Sequence, residues 1–320
     1  MDFSLNEVQE MLADSIDKFI DNEYDFDSRQ RYAGSEAGYS DDVWRKFAEL
    51  GWTAVPFSEE DGGFDGGPID IIVVMQRFGR GLVVEPYLAN VVLAGGALKR
   101  LADAGQKERW LQPMIAGELQ ATLAFTEPQA RYDLANIVTT ATADGDDWVL
   151  SGNKGFVING GTAELIIVPA RTSGNAGDES GITLFAVDAS LDGVTRRAYP
   201  TVDGSRAAEI DLQDVRVPGA AKLGNTDEGF AALDATIDDA TLAVCAEAVG
   251  IMHTLKNKTV EYSKNRSQFG MPIGGFQSLQ HRMVDMLTAC EQAQSLLLWA
   301  AITYQEGGND AKRAVSAIKY

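Results

Sequence analysis

Between two strongly helical stretches runs Arg266-Ser-Gln-Phe-Gly-Met-Pro-Ile-Gly-Gly-Phe-Gln-Ser-Leu-Gln280, a turn marked by glycine and proline. The chain carries 47 acidic against 27 basic residues, yet the polar groups of this turn are an arginine and several glutamines. A planar guanidinium such as that of Arg266 offers paired donors to a phosphate or pyrophosphate. The amides of Gln268 and Gln277 and the ring of Phe269 beside it suit a nucleotide. Spacing alone equally permits an ordinary helix–helix corner. Other candidates for chemistry are sparse. His253 and His281 are the only histidines, far apart in sequence, with no Ser-His-Asp pattern and no metal-ligand cluster around them. His281 falls off the apolar stripe of its helix and reads as solvated. Cys245 and Cys290 lie in apolar helical settings; they fit neither a disulfide framework nor a zinc site and read as buried thiols in a reducing cytosol. Asp238 and Asp239 open a long helix, where the helix dipole favours acids on structural grounds alone.

The elements that must position these groups form three blocks. Residues 1–120 read as helical. Ser4-Leu-Asn-Glu7 has the form of a capping box, and Leu5, Val8, Leu12, Ile16 and Phe19 follow at helical spacing. A second helix is expected near 41–50, a loop over 55–68, and apolar periodicity again over 69–82 and 88–101. Across 121–222 the period becomes that of strands. Thr139-Thr-Ala-Thr-Ala, Asp144-Gly145 and Trp148-Val-Leu-Ser predict a hairpin. Further strands are expected at 165–170, 182–187 and 210–217, giving a small barrel or sandwich. Over 223–320 helices return, at 234–265 and 279–305. The second has Leu279, Met283, Met286, Cys290 and Leu297 on its apolar stripe. A third begins near Asp310 and is still in register at Ala314, Val315 and Ile318 with no C-cap, so this last bundle is expected to be incomplete and the natural chain to continue. The fold class is α+β, in the order helical, β, helical.

Composition bounds the function. A chain of 320 residues, 45% hydrophobic, buries a sufficient core without staples. A net charge of −20 argues against a general nucleic-acid binder and against an anionic membrane surface as partner. One local arginine can still hold a phosphate. The N-terminus shows no basic region and no apolar signal core. The longest apolar run, at 88–98, is too short to span a bilayer. The expectation is a soluble cytoplasmic protein.

Several motifs, in order, carry a family resemblance. Val55-Pro and Asp61-Gly-Gly-Phe resemble an N-terminal Gly-Gly loop. Ala124-Phe-Thr-Glu-Pro-Gln-Ala-Arg-Tyr-Asp133 resembles a T-E-P-x-x-G-S-D segment. Gly152-Asn-Lys-Gly-Phe-Val-Ile-Asn-Gly-Gly161 resembles N-G-x-K-x-W-I-T-N-G-G, and Asp214-Val-Arg-Val-Pro218 resembles the strand that leaves the middle domain. With the Arg266 turn, these span essentially the whole chain and resemble the acyl-CoA dehydrogenases. The resemblance implies an acyl-CoA dehydrogenase-like fold and FAD as cofactor. It implies an acyl-CoA substrate and α,β-dehydrogenation as in fatty-acid β-oxidation, with an electron-transfer flavoprotein as acceptor. It assigns Arg266, Gln268, Phe269 and Gln277 to the FAD of a neighbouring subunit, and Thr126 and Phe156 to the flavin.

The departures matter equally. Arg131 and Tyr132 stand where the family has Gly-Ser, a change expected to crowd the flavin cradle. Ile158 stands where the family has a hydrogen-bonding Thr, and Phe156 where it has Trp. Losing one such bond is worth only about 0.5–1.5 kcal/mol. Ala240 occupies the position at which some members carry the catalytic Glu, leaving Asp239 as the candidate base; other members carry it in a C-terminal segment beyond this sequence. Asp239, Ala243, Ala246 and Gly250 would form a small-residue face lining an acyl pocket, with Glu247 at its border. Arg206 would form a buried ion pair or touch CoA, and Arg131 a surface pair or a CoA phosphate. An intact nucleotide half beside an altered flavin half implies a heteromer. This chain would be the small subunit, lending its loop to a larger homologous partner in a dimer of dimers. The alternatives are a catalytically silent scaffold subunit, or a flavin oxidase or monooxygenase on the same fold.

Overall fold

The computed structural model describes residues 5–319. Helices α1 (Glu7–Glu23), α2 (Phe26–Ala33), α3 (Asp41–Glu49) and α4 (Pro68–Gly81) come first. A π-helical run, Leu88–Ala94, leads into α5 (Gly95–Leu101); α6 (Ala104–Gln106) and α7 (Gln112–Ile115) flank a second one, Lys107–Leu111. Strands β1 (Ala121–Leu123), β2 (Thr140–Asp144), β3 (Asp147–Ile158), β4 (Leu165–Arg171), β5 (Ile182–Asp188), β6 (Val194–Pro200), β7 (Arg206–Pro218) and β8 (Lys222–Leu223) follow. The chain then forms α8 (Phe230–Asn265), the ribbon β9 (Ser267–Gln268) and β10 (Met271–Pro272), α9 (Gln277–Glu306) and α10 (Ala311–Ile318). No helix among the described residues is long and apolar enough to cross a membrane.

Two compact units result. One unites α1, α4 and everything from Thr241 onward; the other holds Gln30–Asp65 and Val84–Ala240. The first 120 residues therefore contribute to both.

In the second unit, the described residues form an eight-stranded sheet in the order β6-β7-β3-β2-β4-β5-β8, with β1 parallel to β4 beside that path. The expected hairpin forms, pairing Thr140 with Ser151 through Asp144 with Asp147, around Gly145 at φ +66. β4 is buried at every position and β5 at all but its last, which explains their unbroken apolar runs. β1, β6 and β8 escaped the sequence reading. β1 and β8 are too short to show a period, and β6 is a largely exposed edge strand carrying Arg196 and Arg197. The core gathers Leu150, Ile166, Val168, Phe185, Ile210 and Val215.

Through that core runs a buried ion pair. Lys154 and Glu127 are both 0% exposed in their side chains, with Nζ 2.6 Å from Oε1. Lys154 also donates to the Pro169 carbonyl at 2.7 Å. Glu127 further accepts from Val138 N–H, Thr139 N–H and the Gln129 amide. Burial opposes both charges, pushing the Lys154 ammonium down and the carboxyl up. The adjacent cation and the converging donors outweigh it at Glu127, whose pKa falls from 4.5 to about 2.

In the helical unit, Asn6 caps α1. Its side chain accepts from Gln9 N–H at 2.9 Å and the Gln9 amide oxygen accepts from Asn6 N–H at 3.1 Å. The expected cap residue, Ser4, lies outside the described residues. Of the expected stripe of α1, Ile16 and Phe19 are buried, Leu5 and Leu12 half-buried and Val8 71% exposed; Gln9, Ala13 and Ile20 complete the buried face. α4 and α8 meet backbone to backbone. A Cβ at Gly79 would lie 2.0 Å from the Glu247 carbonyl oxygen, and one at Gly250 2.0 Å from that of Gln76. α9 buries Cys290 and Leu297 as expected, and α10 packs Ala314 and Val315 into a cluster with Leu242 and Ala300.

Lys154→Met, which leaves the Glu127 carboxylate buried without its counter-charge, should cost about 3–5 kcal/mol in urea unfolding, and the Glu127→Met/Lys154→Met pair less than the sum of its parts. A carboxyl with a depressed folded pKa stabilises above its unfolded value and loses that contribution as pH falls. Wild type should therefore lose stability more steeply than Glu127→Gln between pH 4.5 and about 2.

Candidate functional site

The middle unit brings Thr126 and Phe156 together. Ala124 N–H donates to the Ile167 carbonyl at 2.8 Å, extending the β1–β4 pairing into the T-E-P segment. Gly155 N–H then donates to the Thr126 carbonyl at 2.9 Å, docking that segment on β3. β3 slips register against β7 between Lys154 and Val157, so Gly155 and Phe156 bulge outward. Phe156 sits at φ +49 with its ring 53% exposed. Thr126 and Ile158 are half-buried. An outward aromatic face beside a threonine hydroxyl fits a flat ring system with a polar edge; Ile158 adds only apolar contact.

The turn after Glu127 carries the family's altered positions. Arg131 takes φ +53, the left-handed region that glycine favours, and Tyr132 is 98% exposed. Both side chains are exposed. Arg131 makes no ion pair among the described residues.

The helical unit presents the nucleotide motif. Ile273 N–H donates to the Arg266 carbonyl at 2.8 Å and closes the β9–β10 ribbon. Phe269 and Gly270 turn it, at φ +54 and +79. The Phe269 ring is 92% exposed and meets Phe276 edge-on at 6.2 Å. Arg266, Gln268 and Gln277 are exposed alongside. Gln277 opens α9, whose N-cap Phe276 supplies no side-chain acceptor to the first-turn N–H groups. A long helix N-terminus, a guanidinium and two amides form a donor set suited to a pyrophosphate, and the ring to a base. The residues present therefore fit a dinucleotide, while the flavin cradle lacks one donor.

Asp239 is engaged elsewhere. Arg100 Nη2 donates to its carboxylate at 2.7 Å, and Arg100 Nη1 also holds the Gly96 carbonyl. Ala240 is buried beside it. Of the expected small-residue face, Ala243 and Ala246 are fully buried, and Gly250 meets the Gln76 backbone at the α4–α8 crossing. Arg206 forms no ion pair among the described residues. Its guanidinium clamps five backbone carbonyls, those of Ala33, Ser35, Glu36, Gly204 and Ser205. His281 is exposed, and His253 is half-buried with Nδ1 3.5 Å from Lys256 Nζ. No group of three or more His, Cys, Asp or Glu among the described residues is placed to hold a metal. The Glu127–Lys154 lock was missed in the sequence, although a lysine three residues before an apolar Val157-Ile158 and a Glu after Thr126 were its visible signs.

Comparison with known proteins adds the rest. The sequence matches the family models for the acyl-CoA dehydrogenase N-terminal domain over residues 6–118, middle domain over 122–215 and C-terminal domain over 227–320. It is 31% identical over 306 residues to a probable acyl-CoA dehydrogenase of Bacillus subtilis, covering 94% of this chain and 80% of that protein. Among solved structures it is similar to butyryl-CoA dehydrogenase from Megasphaera elsdenii, with TM-score 0.89, 30% identity, and 99% and 86% of the two chains covered. It is also similar to the ChsE4–ChsE5 complex from Mycobacterium tuberculosis, with TM-score 0.88, 26% identity, and 100% and 83% covered.

A left-handed non-glycine residue costs about 1–2 kcal/mol. Arg131→Gly should therefore raise stability by about 1 kcal/mol after the entropy cost of glycine in the unfolded chain, read as a higher urea midpoint at unchanged m-value.

Proposed function

The chain belongs to the acyl-CoA dehydrogenase family, FAD-dependent oxidoreductases, and from that premise we propose that it is the smaller subunit of a heteromeric enzyme. The observation that carries this reading is the contrast between its two half-sites. Arg266, Gln268, Phe269 and Gln277 stand exposed on a turn and a helix start, as groups that serve a cofactor held mainly by another chain. The cradle of this chain keeps Thr126 and Phe156 but has Ile158 where a donor is needed. The type we propose is that of the small subunit of pimeloyl-CoA dehydrogenase, and similarity to a structure that is itself a two-component complex supports the heteromer. The partner is a larger homologous subunit in a dimer of dimers, the electron acceptor an electron-transfer flavoprotein, and the compartment, from two free thiols, the cytosol.

FAD, when bound, supplies the hydride acceptor for the β carbon of the acyl-CoA. The residues of this chain bind and orient. Arg266 neutralises pyrophosphate charge, Gln268 and Gln277 donate beside it, and Phe269 covers the nucleotide. Thr126 offers its hydroxyl to the polar edge of the ring system, and Phe156 shields a face from water. Asp239 is this chain's candidate for taking the α proton. Its pairing with Arg100 favours a second reading, in which the partner supplies the base and this chain is a catalytically silent scaffold.

Co-expression with a larger homologue tests both. The chain alone should purify colourless, and the heteromer should carry reducible flavin. Arg266→Ala should weaken flavin retention about 10–100-fold, the worth of a charge-assisted bond. A stoichiometric flavin reduced by acyl-CoA in the chain purified alone would overturn the heteromer. Asp239→Asn should leave turnover within a few-fold; a fall of about 10²–10⁴ would instead make Asp239 the base.

A further inference from the structure

One cleft in the helical unit has no part in the proposed cofactor chemistry. α4 and α8 run antiparallel, touching at Gly79 and Gly250. From that contact toward Ile69 and Asn257 a cleft of about 380 Å³ opens, with α9 as its third wall. That volume lies in the range of small-molecule sites, about 300–1,000 Å³. Its floor is apolar: Ile72 and Val73 are each 1% exposed, with Leu298 beside them.

The charge at its rim is unusual for this molecule. The charged residues that line it are Arg77, Arg80 and Asp17, a net of +1 in a chain of net −20, while just outside the lining Asp21 pairs with Arg80 and Asp14 acts on Arg77. Arg80 is fully committed, with Nε 3.0 Å from Asp17 Oδ1 and Nη1 2.8 Å from Asp21 Oδ1. Arg77 is not. Its side chain is only 22% exposed, yet its contacts among the described residues are Asp17 Oδ2 at 3.7 Å and the Val73 carbonyl at 3.5 Å. Both are longer than a good hydrogen bond, so most of the five N–H donors of a largely buried guanidinium go unmatched. Burial accordingly pushes Arg77 below its ordinary value, against the attraction of Asp17. Gln294 accepts from Gln76 at 2.6 Å, which leaves its own N–H₂ unpartnered among the described residues.

We propose that this cleft binds a small amphipathic monocarboxylate, its carboxylate on Arg77 and Gln294 and its aliphatic body on Ile72, Val73 and Leu298. One under-bonded guanidinium beside an Asp matches a monoanion; a dianionic phosphate would need more positive charge. The lining holds no Phe, Tyr or Trp ring to stack on a nucleotide base; its one ring is the small imidazole of His253. None of these residues belongs to the cofactor motifs, so the site stands or falls apart from the heteromer reading.

Octanoate titrated into the purified protein by calorimetry tests it, with octanol as the uncharged probe. Wild type should bind octanoate saturably at one site, and octanol about tenfold or more weaker, since the charge-assisted bond is lost. Arg77→Gln should weaken octanoate about tenfold or more and leave octanol unchanged. Thr254→Trp, which fills the mouth of the cleft, should abolish both while keeping a cooperative melt. If Arg77→Gln fails to fold, the octanoate-to-octanol ratio and Thr254→Trp decide. Equal binding of octanoate by wild type and Arg77→Gln, equal binding of the two probes, retention in Thr254→Trp, or no saturable binding at millimolar octanoate overturns the site.

Discussion

Two opposite charges with no access to water hold the middle unit in register. Removing an ion from water costs several kcal/mol even after relaxation, and an attraction at 2.6 Å offsets this only when every remaining valence is satisfied. Here the carboxylate is saturated and the ammonium nearly so: Glu127 takes donors from Lys154, Gln129, Val138 and Thr139, and two of the three Lys154 N–H donors reach Glu127 and the Pro169 carbonyl. The pair thereby fixes both ends of the 127–139 excursion and its seat on β3 and β4. Thr126 precedes one member of the pair directly; Phe156 follows the other by two residues. The placement of the cradle groups is a by-product of satisfying a buried charge.

In each unit the backbone holds conformations that side chains usually avoid. Arg131, Phe156 and Phe269 all lie in the left-handed region, and all three are exposed on segments that carry the family resemblance. Such strain persists only where the surroundings over-determine it. The β3 bulge and the Gly155–Thr126 bond do so for Phe156, and ribbon closure for Phe269. The outcome in each case is a large side chain presented outward that an unstrained backbone would have turned aside.

Long periodic elements were legible in the sequence because their signals are local. The hairpin at Asp144-Gly145, the strands β4 and β5 and the helices α8 and α9 all follow from residue spacing within a few boundary residues. So did the Arg266 turn, whose composition broke with its surroundings. Contacts between distant residues were not legible. Nothing near Lys154 names Glu127, and nothing near Arg206 announces that it will clamp carbonyls about 170 residues earlier. Asp239 read as a free acid because its partner, Arg100, lies 139 residues away. The edge strand β6 was illegible for another reason: exposed on both faces, it has no pattern to show.

The discontinuous make-up of the helical unit has a consequence for biosynthesis. α1 and α4 are finished by Gly81, but the segments that cover them begin only at Thr241. At about 5–20 residues per second, a ribosome leaves the buried faces of these helices uncovered for roughly ten to thirty seconds. Meanwhile Val84–Ala240 emerges, completes the unit begun by Gln30–Asp65, and that unit can fold. The newborn chain must carry an uncovered pair of amphipathic helices through that interval, so its yield in a cell depends on whatever shelters them from aggregation.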